Sequence, residues 1–238
     1  MPTLSQPDAN ALKRAAAARA LDFVQDGMKL GLGTGSTADL FLELLAERTR
    51  SGLKIIGTPT SQRTADKAAT LGIPLRDLDE LGSLDLVVDG ADEADRNLNL
   101  IKGGGGALLR EKIVAACAKR MIVIADETKL VDRLGAFPLP VEVIRFGHAT
   151  TRARICAEAE RLHYRGLAPV LRLGPDRQPF STDSGNYIYD CPFRAISDAA
   201  VLDAALSSIA GVVEHGLFIA MASALVIGSG AGVRVFER

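Results

Sequence analysis

The residues best suited to chemistry crowd into one stretch, DGADEADRNLNLIKGGGGALLREK at positions 89–112. Leu84, Leu86, Val87 and Val88 form the short apolar run of a buried strand, so Asp89 and Asp92 leave the end of that strand together. Lys102 introduces four consecutive glycines, Gly103, Gly104, Gly105 and Gly106. Behind them Ala107, Leu108, Lys112, Ile113 and Ala116 recur at helical spacing, which puts Glu111 one or two turns into a helix. Glycines lose more backbone entropy on ordering than any other residue, so a flexible linker is the plain alternative for this run. A linker seldom joins a buried strand to an amphipathic helix. Bare N–H groups at a helix start suit a small anionic or oxyanionic ligand, which Asp89, Asp92, Lys102 and Glu111 would then surround. Taken singly, the two aspartates also fit turn or cap positions, and Glu111 also fits a solvated helix face.

A second loop carries different chemistry. Positions 28–32 read as a short strand, Gly33, Thr34, Gly35, Ser36 and Thr37 as a turn, and Leu40, Phe41, Leu44 and Leu45 as the apolar stripe of a helix. A dinucleotide fingerprint starting at Gly31 needs glycine where Ser36 stands, and Gly57, Thr58, Pro59 and Thr60 supply no acid for a ribose hydroxyl. No GK[ST] follows the glycines, which excludes a P-loop. What remains, hydroxyls and backbone donors at a helix N-terminus, suits a single phosphate monoester, with a capped turn as the alternative. A third loop, Asp126, Glu127, Thr128 and Lys129, follows the apolar run at 121–125, the kind of strand end where open parallel sheets hold ligands.

The elements that must position these loops can be read from periodicity. In the first helix Leu12, Ala16, Ala20 and Phe23 share a face behind Asp8 or Asn10 as cap. From there to position 125 strands alternate with helices, which predicts an α/β fold with a parallel sheet. Pro74 leaves 73–75 a short edge strand at best. Beyond Phe137 the pattern changes. Strands at 141–146, 170–173, 186–191 and 212–218 and helices at 149–162 and 198–208 predict a smaller α+β domain, inserted before strands at 225–227 and 233–236 rejoin the first sheet. The expected domains are 1–138 with 216–238, and 139–215.

Composition narrows the function classes. With 28 basic and 29 acidic residues the net charge is -1, so neither a nucleic-acid nor a membrane surface is expected. Cys117, Cys156 and Cys191 form no CxxC pair, and His148, His163 and His215 have no ligand spacing, so buried thiols in a reducing compartment are expected rather than disulfides or a metal site. The N-terminus lacks the basic start and apolar stretch of a signal peptide, and the uncharged span 216–233 is broken by glycines and serines. A soluble cytoplasmic protein is expected.

Together the three loops resemble the type A ribose-5-phosphate isomerase family. Its hallmark stretches GLGTGSTA, DGADE and IKGGGGALLREK stand at 31–38, 89–93 and 101–112, and the likeness continues through DETK at 126, FPLPVEV at 137 and GVVEHGLF at 211. The resemblance implies interconversion of ribose 5-phosphate and ribulose 5-phosphate with no metal or organic cofactor. It also implies a Rossmann-like main domain with a smaller ferredoxin-like domain, assembled as a homodimer or homotetramer. Position by position, Glu111 matches the family's general base, and Asp89, Asp92 and Lys102 match its polar active-site residues. Thr34, Gly35, Ser36, Thr37, Gly90, Ala91, Gly103, Gly104, Gly105 and Lys129 match substrate-binding positions, and Lys13 matches a lysine that helps hold the phosphate.

The implied chemistry suits these residue types. Moving a carbonyl between C1 and C2 removes a carbon-bound proton and returns it to the neighbouring carbon, so one partly desolvated carboxylate can serve both steps. The enediolate between them needs a preorganised positive field, which Lys102 and glycine N–H groups supply. Asp89 or Asp92 would move hydroxyl protons and help open the furanose ring. A non-catalytic sugar-phosphate-sensing domain of the same fold is the rival from another class. No DNA-binding helix pair precedes the domain and the full base-plus-cradle set is present, which weighs against it. An enzyme acting on another phosphosugar is a third reading, and a nucleotide-dependent oxidoreductase is disfavoured by the missing fingerprint.

Overall fold

A computed structural model describes residues 8–238. The chain forms two compact units, one from the chain up to Ala91 with Ile113–Leu130 and Met221–Arg238, the other from Asp92–Lys112 with Val131–Ala220.

The first unit is Rossmann-like. Its six-stranded sheet runs in the order Gly232–Glu237, Ala224–Ser229, Met121–Asp126, Leu86–Asp89, Met28–Leu32, Ile55–Pro59. All neighbours pair in parallel except the terminal hairpin of Ala224–Ser229 with Gly232–Glu237. The strands LVVD, MIVIAD and ALVIGS are buried along their whole length, as near-continuous apolar runs are when both faces of a sheet are covered. Helix Ala9–Ala20 begins at Asp8, whose carboxylate accepts from Asn10 N–H, and buries Ala16, Ala17 and Ala20 in the core with Phe41, Leu45, Ile122 and Val226. Ser61 caps Gln62–Thr70 as a bond from Thr64 N–H to its hydroxyl. The segment at 73–75 contributes only an isolated bridge between Gly57 and Leu75. From Met28–Leu32 the chain moves to Ile55–Pro59 on one side and returns to Leu86–Asp89 on the other. The topological switch point therefore falls between Met28–Leu32 and Leu86–Asp89, where such sheets open a crevice.

The second unit is α+β. A four-stranded antiparallel sheet has the order Val212–His215, Leu139–Val143, Tyr187–Cys191, Val170–Leu171. Leu139, Val141, Val143, Tyr189 and Cys191 pack with Ile155 and Ala159 of helix His148–Arg161 and with Leu202 and Leu206 of helix Ala199–Ser207. Strand periodicity turns Pro140, Glu142, Ile188 and Asp190 to the opposite face.

Two expectations need correction. The strand expected at 212–218 is two elements, Val212–His215 in the four-stranded sheet and Leu217–Phe218 in a separate three-stranded sheet with Leu100–Ile101 and Glu93–Ala94. Gly216 divides them, and a Cβ there would lie 2.1 Å from the Lys102 carbonyl oxygen. These short strands lie with Asp92–Lys112 in the second unit. Glu93, the last residue of DGADE, ties that segment to its unit by accepting N–H bonds from Gly135 at 2.6 Å and Phe137 at 2.5 Å. The cysteines are free, but only Cys191 is fully buried, while Cys117 and Cys156 are half-buried. Among the described residues no helix is long and apolar enough to cross a membrane, and no three His, Cys, Asp or Glu side chains are grouped to hold a metal ion.

Candidate active site

In the first unit the switch point is built around Asp89. Gly33 N–H donates to the Val88 carbonyl at 3.0 Å, and a Cβ on Gly33 would fall 2.2 Å from Asp89 Oδ1. Asp89 Oδ1 accepts from Thr34 N–H at 3.0 Å and from Gly90 N–H at 2.7 Å, so one buried oxygen ties two strand-end loops together. Thr34 Oγ1 lies 2.8 Å from Thr60 Oγ1, 2.8 Å from Ser61 Oγ and 2.9 Å from Thr64 Oγ1. A hydroxyl donates once and accepts twice, so this cluster exhausts Thr34. The sequence reading gives Thr34 a ligand-binding place, whereas its two donors are engaged inside the loop that it shapes.

Helix Ser36–Arg50 follows with no side-chain cap, which leaves its first N–H groups open. Gly35 reaches that start at φ +127°, a conformation that favours glycine. Ser36 is exposed, Thr37 is buried, and Lys13 Nζ donates to Ser36 Oγ at 3.0 Å. Lys129 is half-buried at the end of the turn Glu127–Lys129, directly after strand Met121–Asp126. Because that strand runs parallel to Leu86–Asp89, Lys129 shares a sheet edge with the Gly33 and Asp89 loops. Gly90 and Ala91 continue from Asp89, half-buried.

The second unit holds the other expected residues. Asp92 N–H donates to the Ile101 carbonyl at 2.8 Å, and its Oδ2 accepts from Gly104 N–H at 2.7 Å. A Cβ on Gly104 would lie 2.5 Å from Asp92 Oδ1, so only glycine permits this approach. Gly106 N–H returns to the Gly103 carbonyl at 3.0 Å, closing the turn. The N–H groups of Gly103 and Gly105 make no hydrogen bond among the described residues. Lys102 is 2% exposed and Glu111 3%, with Nζ 3.6 Å from Oε1. Withdrawing two ions from water costs several kcal/mol each, so a fold that buries such a pair is spending stability on something other than stability.

Sequence reading missed the support behind this pair. The buried Phe218 ring lies 5.5 Å from Lys102 Nζ and 5.0 Å from Lys112 Nζ. Lys112 Nζ donates to Glu214 Oε1 at 2.6 Å and to the His215 carbonyl at 2.8 Å. Burial lowers the Lys112 ammonium from the usual lysine range, opposed by its bond to Glu214. Burial, followed by the Lys112 charge, pushes His215 down to about 4. Leu217 N–H donates to His215 Nδ1 at 3.3 Å, so the proton of the neutral ring sits on Nε2, 3.1 Å from Ser207 Oγ. These partners lie a hundred residues from the glycine run, and spacing along the chain carries no signal of them.

Comparison with known proteins extends the likeness beyond the motifs. Residues 56–232 match the family described as ribose 5-phosphate isomerase A (phosphoriboisomerase A). A ribose-5-phosphate isomerase A of Nitrobacter hamburgensis is 59% identical over 229 residues, 96% of this chain and 98% of that protein. The ribose 5-phosphate isomerase from Plasmodium falciparum aligns with a TM-score of 0.91 at 38% identity, covering 96% of this chain and 99% of that one. A D-ribose-5-phosphate isomerase solved in complex with phospho-erythronic acid gives 0.89 at 40% identity, covering 97% and 100%. With motifs, fold and nearly the full length in agreement, the chain belongs to the ribose 5-phosphate isomerase A family.

Proposed function

We propose that this chain interconverts D-ribose 5-phosphate and D-ribulose 5-phosphate through an enediolate, with Glu111 as general base. The observation that carries the assignment of the base is the buried Lys102–Glu111 pair beside a glycine turn with N–H groups to spare. Glu111 takes the proton from C2 of the open-chain aldose, and the electron pair moves toward the C1 oxygen. Lys102 and the N–H groups of Gly103 and Gly105 stabilise the oxyanion that develops. Glu111 then returns the proton to C1 as C2 becomes the carbonyl, and a hydroxyl proton passes from O2 to O1. Asp89 and Asp92 serve that hydroxyl transfer and ring opening, each held by backbone N–H bonds.

The phosphate is the part of Lys13, Gly35, Ser36, Thr37 and Lys129, with Thr34 shaping their loop and Gly90 and Ala91 bordering the sugar. The uncapped start of helix Ser36–Arg50 and the Lys13–Ser36 bond support this division. As a finer reading, the chain assembles as a homodimer or homotetramer. Light scattering of the purified protein tests it. The function is tested by a coupled assay in chelator-treated buffer, with ribose 5-phosphate compared against other aldose phosphates. Turnover with ribose 5-phosphate, and little with the rest, is expected. Binding without turnover would replace the isomerase by a sugar-phosphate sensor.

A further inference from the structure

The glycine turn is gripped from behind by a residue that neither motif nor mechanism uses. Arg172 Nη1 donates to the Gly103 carbonyl at 2.8 Å and to the Gly104 carbonyl at 3.2 Å. Its remaining edge faces Asp190, with Nε 3.0 Å from Oδ2 and Nη2 bonded to Oδ1. Asp190 lies on strand Tyr187–Cys191, on the sheet face turned away from the helices, and Arg172 N–H donates to the Ile188 carbonyl of the same strand at 2.8 Å. Arg172 is 14% exposed at its side chain, and Phe180 closes the far end of the turn, where a Cβ on Gly106 would meet its ring at 2.5 Å.

A peptide unit is planar and trans, so fixing a carbonyl fixes the N–H across it in the opposite direction. Holding the Gly103 carbonyl sets the N–H of Gly104, which meets Asp92 Oδ2 at 2.7 Å. Holding the Gly104 carbonyl sets the N–H of Gly105, one of the two that make no bond among the described residues. A guanidinium at both carbonyls also polarises those peptide groups, strengthening the donors they present. The flat, two-edged Arg side chain can take a bidentate carboxylate on one edge and carbonyls on the other, which a lysine cannot.

We propose that Arg172, clamped by Asp190, is a positioning residue for the isomerase reaction, aiming the N–H groups of the glycine turn at the developing oxyanion. This rests on the isomerase reading above and deepens it. Arg172 touches no substrate; it acts through Gly103 and Gly104. The test uses the full chain and compares wild type, Arg172→Ala, Arg172→Lys and Asp190→Asn for kcat, KM and thermal unfolding, with Glu111→Gln alongside. Arg172→Ala is expected to lose roughly 10- to 100-fold in kcat with KM within about 3-fold, less than the roughly 100- to 1,000-fold of losing an oxyanion donor outright, because the N–H groups remain and only their aim is lost. Millimolar guanidinium should restore part of the Arg172→Ala rate, while urea at the same concentration should not. Asp190→Asn keeps the fold's volume and Arg172 itself, and should show a smaller kcat loss in the same direction even if Arg172→Ala fails to fold. Unchanged kcat in Asp190→Asn and Arg172→Lys, or losses that track unfolding temperature with no guanidinium rescue, would overturn the proposal. A wild type without turnover on ribose 5-phosphate would instead overturn the isomerase reading.

Discussion

The hydroxyl loop of the first unit and the glycine turn of the second solve opposite electrostatic problems. Around Thr34 the buried side chains are hydroxyls that satisfy one another beside the Asp89 carboxylate, which backbone N–H groups hold, and the cation, Lys13, stays half in water. Around Lys102 the charges themselves are buried as a pair, and a neutral backbone donor reaches the surface at Gly105. A loop of the first kind grips an unchanging dianion with similar strength in ground and transition state, which is uniform binding. A buried ion pair of the second kind acts on charge that appears only during reaction, where low polarisability magnifies it. The two regions should therefore separate in kinetics, the first appearing in KM and the second in kcat.

The sharpest way to break that contrast is Lys102→Met, which removes the buried cation but keeps an unbranched apolar stem over Phe218. It should lower kcat by about 10³-fold with little change in KM, the scale of lost oxyanion stabilisation, in steady-state assays. Equal changes in KM and kcat would place Lys102 in binding. Next, Thr34→Val should cost roughly 1–3 kcal/mol of stability by leaving buried hydroxyls short of partners, measured by urea unfolding. An unperturbed midpoint would show that the cluster around Thr60, Ser61 and Thr64 does not hold the loop. Lys129→Ala should raise KM about 10-fold and spare kcat, as loss of one exposed phosphate contact does. An unchanged KM would remove Lys129 from the phosphate site.

The smallest expected effect is in pH. His215 titrates at about 4 in the folded chain against 6.5 when unfolded. Between those values the unfolded chain takes up a proton that folded His215 refuses, so stability falls as pH drops through that window and this contribution levels off below it. Above pH 6.5 the group contributes nothing either way. His215→Gln should flatten the difference in unfolding temperature between pH 7 and pH 4.5 by a few degrees, and an identical slope would show that His215 is not responsible.

Much of the fold was legible because periodicity is local. The runs at Leu86–Asp89 and Met121–Asp126, the turn after Leu32 and the cap at Ser61 all announce themselves within a few residues. Glu93–Ala94 and Leu100–Ile101 did not, since two-residue strands have no period to detect and exist only by pairing with each other and with Leu217–Phe218. The same limit governs the site. Asp89, Asp92, Lys102 and Glu111 stand out as types in one stretch, Lys129 stands in a loop at a strand end, and Lys13 entered only through resemblance. Phe218, Arg172 and Asp190 were invisible because an aromatic or a paired charge on a strand looks like packing until its partners are known. Thr34 is the converse case, a loop hydroxyl whose bonds to Thr60, Ser61 and Thr64 no local spacing reveals.

The central claim is that Glu111 moves the carbon-bound proton. Incubation of wild type and Glu111→Gln with ribose 5-phosphate in deuterated water, followed by NMR, reads that step as deuterium entering the sugar at C1 or C2. The wild type should exchange at or above its turnover rate, and Glu111→Gln should exchange at least about 10³-fold more slowly while binding the sugar phosphate within a few-fold of wild type. Exchange in Glu111→Gln within about tenfold of wild type would contradict the account, because the proton would then have another carrier.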